Sequence, residues 1–124
     1  AVNGLSLIFH GSVVINSLDW FSPDQIVFGD SRGVHLLNIS TGVEKPFPGL
    51  VPRRPPFVTC EGERVFSTDS SRVVELLPSG SVARLFSDTE FSDVRSLACR
   101  SGLLAFIDEN TLYVAELRQP VARE

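Results

Sequence analysis

The chain has no methionine, one tryptophan, one tyrosine, two cysteines and two histidines in 124 residues. Lys45 is its only lysine. Each scarcity excludes something. Two cysteines fall short of a four-ligand zinc site and of a disulfide-dense secreted scaffold. No apolar run approaches the ~18 residues that cross a bilayer, so no membrane span is predicted. A net charge of −4 argues against the broad basic footprint of a nucleic-acid binder. Glycine-rich phosphate loops and nucleophile elbows are absent, so no cofactor and no catalytic residue is expected. Nothing carries helical periodicity over the ~10 residues that a helix needs. The missing methionine and the abrupt apolar-alternating start predict a fragment or a processed product.

What is present is a period. Asp30, Asp69 and Asp108 lie 39 residues apart. Four residues after each aspartate come Val34, Val73 and Leu112, and thirteen after come Val43, Val82 and Val121. Phe47 and Phe86 follow at seventeen, and Phe21, Cys60 and Cys99 precede at nine. Several independent position classes keep one spacing, the signature of a repeat architecture. Each period reads as short β-rich runs joined by turn formers. Ile26–Phe28, Arg64–Phe66 and Leu103–Phe106 each lead into a polar tetrapeptide opening with the aspartate. An aspartate at the start of a type I turn accepts hydrogen bonds from amides two or three residues on, so the three are read as structural turn residues. A second run follows, then another turn, then an outer run ending in phenylalanine. Ile15–Trp20, Pro56–Cys60 and Val94–Cys99 supply one more strand upstream.

Four short antiparallel strands per 39 residues predict an all-β chain of β-propeller blades, about three in an incomplete ring. The predicted layout is an outer strand of a preceding or closing blade within 1–14, centred on Leu5–Phe9. Blades at 15–50 and 54–88 follow, then one at 93–124 lacking its outer strand. Three blades cannot close a ring, so the rest of the propeller or a second copy is expected to complete it.

The run Gln25-Ile26-Val27-Phe28-Gly29-Asp30-Ser31-Arg32-Gly33-Val34-His35-Leu36-Leu37 resembles a degenerate WD40-like propeller repeat. The tryptophan–aspartate pair of that family is absent from the expected strand ends, and only the reversed Asp19-Trp20 occurs. From Gly49 to Leu117, the link Gly49-Leu50-Val51-Pro52-Arg53-Arg54-Pro55 and the turn Asn110-Thr111-Leu112 are similar to blades of other large propellers. These are the scaffolds of the cleavage-and-polyadenylation factor and damaged-DNA-binding protein type, and vacuolar-sorting propellers carry comparable blades. The resemblance implies a non-catalytic scaffold that docks other proteins in a multiprotein complex, with no direct nucleic-acid contact.

Candidate sites are few. Arg53, Arg54 and Pro55 form the densest positive charge, on a proline-stiffened link. They read either as a rigid connector or as a partner-docking corner. Trp20 is a second candidate, with core packing as its structural reading. His10 and His35 have no carboxylate or nucleophile at a useful spacing and read as structural. Cys60 and Cys99, one period apart, read as buried free thiols, which fits an intracellular setting, cytoplasmic or nuclear. The periodic aspartates lack the Asp-x-Asp-x-Asp-Gly context of a calcium loop. Asn38-Ile39-Ser40 is a formal glycosylation sequon, which matters only in a secreted chain. The alternative is a propeller enzyme of hydrolase or lactonase type with its site around the central channel. That reading would want clustered histidines and carboxylates at loop tips. A sugar-binding propeller would want disulfides and repeated exposed aromatics.

Overall fold

The computed structural model describes residues 5, 7–47, 54–69 and 71–117. These residues are all-β, with no helix, and so none that is long and apolar enough to cross a membrane. Three antiparallel sheets follow one another along the chain. The first holds β1 (Ser17–Ser22), β2 (Gln25–Asp30), β3 (Gly33–Asn38) and β4 (Glu44–Pro46) in that order. The second holds β5 (Val58–Glu61), β6 (Arg64–Asp69), β7 (Arg72–Leu76) and β8 (Val82–Leu85). The third holds β9 (Val94–Arg100), β10 (Leu103–Asp108) and β11 (Thr111–Glu116).

Local chemistry explains the meander. β-branched and aromatic residues fill the strands, and two-residue turns join β2 to β3 and β10 to β11. Gly42 (φ 75°) and Gly80 (φ 92°) take left-handed backbone in the turns before β4 and β8, where a side chain would be strained.

Successive side chains on a strand point to opposite faces, and both faces of the middle sheet are apolar. One core joins Val27 and Val34 of the first sheet to Val58, Cys60, Val65, Val74 and Leu76 of the second. The other joins Val73 of the second sheet to Val94, Leu104 and Phe106 of the third. The sheets are thus stacked in series. Each fully buried aliphatic or aromatic side chain stabilises this arrangement by ~1.5–3 kcal/mol. The first strands adjoin, β1 beside β5 and β5 beside β9.

Two expectations change on contact with the structure. Leu5–Phe9 is no strand over its described residues. Leu5 makes an isolated bridge and 7–10 are irregular. Its Phe9 ring instead packs 5.6 Å from Phe28. Counting back from the aspartates also aligned Phe21 with Cys60 and Cys99. A bulge between Trp20 and Ser22 removes one residue from the β1 register. Trp20 opposes Ile26 just as Cys60 opposes Val65 and Cys99 opposes Leu104. Trp20 is therefore the structural counterpart of the two cysteines. Val121 lies outside the described residues.

Candidate functional site

The strands β1, β5 and β9 carry most of the polar contacts between sheets. Asn16 Nδ2 and Ser17 Oγ both donate to the Pro56 carbonyl, at 3.0 and 3.2 Å. Ser17 Oγ also accepts from the Val58 amide at 2.9 Å. Asp19 Oδ2 accepts from Thr59 Oγ1 (2.8 Å) and from the Cys60 amide (2.9 Å). One step further, Glu61 accepts from the Gly102 amide and, at 3.8 Å, from Cys99 Sγ. Side chains of β1 and β5 thus reach into the next sheet.

Arg54 and Pro55 lie at the corner where these strands begin. They line a cavity of about 170 Å³ with Asn16, Phe57, Asp93 and Arg95. Arg54 pairs with Asp93 at 2.8 Å, and Arg95 reaches the other oxygen of the same carboxylate at 2.9 Å. Two guanidiniums thus share one carboxylate. Arg53 lies outside the described residues. Trp20 is not part of this corner. It sits 55% exposed on the outward face of the first sheet, where Leu18, Ile26, Phe28 and Leu37 line an open apolar groove of about 340 Å³ with Leu7–Phe9.

The three periodic aspartates do different work. Buried Asp30 accepts from the Arg32 amide at 2.8 Å and from the Arg32 guanidinium at 2.8 Å, as a turn aspartate should. Burial opposes its ionisation, yet the hydrogen bonds from Arg32 outweigh that and hold its pKa below the ordinary carboxylate value. Asp69 pairs with the side chain of Arg72. Asp108 accepts instead from the amides of Ser92 (3.1 Å) and Asp93 (2.7 Å), and so fixes the loop that carries the Arg54 partner. Its role is structural, though in a loop 15 residues upstream and not in its own turn.

His35 is a strand histidine, as read from the sequence, but it does have carboxylate neighbours. It is buried, its ring stacked 5.2 Å from Phe28. Nδ1 lies 2.7 Å from Glu44 and Nε2 3.3 Å from Asp30, at ion-pair distance but without hydrogen-bond alignment. Arg32 completes the cluster with a 2.9 Å contact to Glu44. Sheet register brings these groups together: Phe28 opposes His35, and Leu37 opposes Glu44. The cluster fastens the short edge strand β4 to β3.

Cys60 and Cys99 are free. Burial pushes the Cys60 thiol up to about 12, and Asp19 adds to the shift. Burial and the neighbouring Glu61 push Cys99 up to about 11. Both are protonated at neutral pH and therefore poor nucleophiles. Among the described residues, no group of three or more His, Cys, Asp or Glu side chains is placed to hold a metal ion.

No protein-family model and no curated protein matches the chain. Among solved structures, the chain is similar to the crystal structure of the computationally designed Ika4 protein. The two share 13% identity at a TM-score of 0.49, over 91% of this chain and 99% of that one. That level of likeness fixes neither fold nor function.

Proposed function

We propose that the three sheets are blades of a β-propeller of the WD40-like kind and that the protein is a non-catalytic scaffold. Its Arg54 corner docks an acidic segment of a partner protein within a larger assembly. The observation that carries this reading is the repeat itself: sheets in a 39-residue register, stacked face to face, with their first strands side by side. In a propeller those strands surround the axis, and the loops at their ends form the docking surface. The partner chemistry is chosen on the two guanidiniums, Arg54 and Arg95, that stand side by side at this corner, since arginine is enriched at interface hot spots. Two free cysteines fit a reducing intracellular compartment.

Titration of the ¹⁵N-labelled chain with a glutamate-rich peptide tests this. Amide shifts are expected at Asn16, Arg54, Phe57 and Arg95. The Arg54→Glu/Arg95→Glu variant is expected to weaken the peptide at least ~10-fold. Shifts confined to other surfaces, or an unchanged affinity in the variant, would refute the docking corner.

A further inference from the structure

Positions that are buried between sheets inside the chain are open at its two ends. Trp20 is 55% exposed, whereas its register counterpart Cys60 is 8% exposed. At the other end Leu112 is 70% exposed, whereas Val34 and Val73, at the same place in their sheets, are 1% and 0% exposed. The two open faces are not alike. The first sheet meets the second through its Val27 and Val34 face, and the second receives it on its Val65 and Val74 face. The second meets the third through its Val73 face, received by the Leu104 and Phe106 face. What remains at the front, beside the Leu7–Phe9 segment whose Phe9 ring packs on Phe28, is a receiving face with Leu18, Trp20 and Ile26. What remains at the back is a presenting face, with Ala105, Leu112 and Val114.

We infer that the back face of the third sheet docks head to tail on the front face of the first sheet in a second copy of this chain. It does so in the register by which each sheet already packs on the next. This rests on the blade reading above and names a partner for it. The charges agree. Glu61, opposite the first residue of β6, bonds the Gly102 amide in the turn of the next sheet. Arg100 holds the corresponding place in the third sheet, opposite Leu103. Asp24, one residue before β2 as Gly102 is one residue before β10, holds the corresponding turn position in the first. Docking in register sets Arg100 of one copy beside Asp24 of the other, both on exposed positions. A head-to-tail contact closes into a ring when its rotation allows, and two copies supply six sheets.

Light scattering after size exclusion, with Trp20 emission followed on dilution, tests the inference. A mass of twice the chain is expected, with Trp20 emission shifting to the red as the dimer dissociates. Leu112→Asp/Val114→Asp is expected to give a monomer with unchanged circular dichroism. Arg100→Glu or Asp24→Arg alone raises the dissociation constant about 10-fold, and the two together restore it to within about 3-fold. A folded wild-type monomer whose Trp20 emission ignores concentration would overturn the inference and assign the faces to other occupants, such as further blades of a longer chain. A dimer indifferent to the Arg100 and Leu112 changes would overturn it as well. The acidic-peptide titration reads a different surface, so the docking corner stands or falls separately.

Discussion

Replacing Phe106 with alanine is expected to cost about 3–5 kcal/mol of stability. Phe106 is 3% exposed and sits among three aromatic rings. Phe86 lies at 5.7 Å, Phe91 at 5.3 Å edge-on and Tyr113 at 5.3 Å. Removing the ring loses its transfer free energy and leaves a cavity walled by Tyr113 of β11 and by Phe86 and Phe91 of the segment between β8 and β9. That segment can relax partly toward the cavity, which puts the cost toward the lower end of the range. Domains of ordinary size hold only ~5–15 kcal/mol in total, so the variant loses a large share. Leu103 to alanine is the matched control, since that side chain is 47% exposed on the outer face of the same strand. Urea denaturation checks both. A Phe106→Ala loss below ~1 kcal/mol would mean that the second and third sheets are not packed through this cluster.

Gly29→Ala is expected to cost about 2–3 kcal/mol for a different reason. A Cβ there would lie 2.4 Å from the Pro56 carbonyl oxygen and 3.1 Å from its Cγ. Gly29 is absent from the positive-φ positions, so the substitution carries no backbone penalty and the cost is steric. Relief would require Pro56 to move, but its carbonyl is held by Asn16 and Ser17. The first two sheets must therefore separate locally or lose those bonds. Midpoints in urea, compared with wild type, check the size of the effect. A neutral Gly29→Ala would mean that the sheets do not approach at this point.

The period and the strands were legible because they are local properties. Short apolar runs such as Ile26–Phe28 and Leu103–Phe106, each bounded by a polar turn and recurring at one period, read as strands. Turn chemistry then fixes the hairpin register. What lay hidden depends on contacts across strands and sheets. The bulge after Trp20 has no composition signal, so Phe21 took a place in the alignment that belongs to Trp20. His35 looked solitary because Glu44 is nine residues on and reaches it only through the β3–β4 register. Asp108 resembles Asp30 in sequence. Yet it serves the Ser92–Asp93 loop, because that loop passes beside the end of β10. The Arg54 corner was visible as charge, but its partners Asp93 and Arg95 come from the start of the next repeat. Trp20 and Arg54, paired as candidates on composition, belong to different surfaces: an apolar end face and a charged corner.

The central claim is that three repeat-related sheets are stacked in series through two separate cores. Methyl–methyl nuclear Overhauser effects in a Val/Leu/Ile-labelled sample test it most directly. The account predicts contacts from Val27 and Val34 to Val58 and Val74, and a second, separate set from Val73 to Val94 and Leu104. A spectrum with contacts inside each sheet and none between sheets would contradict it.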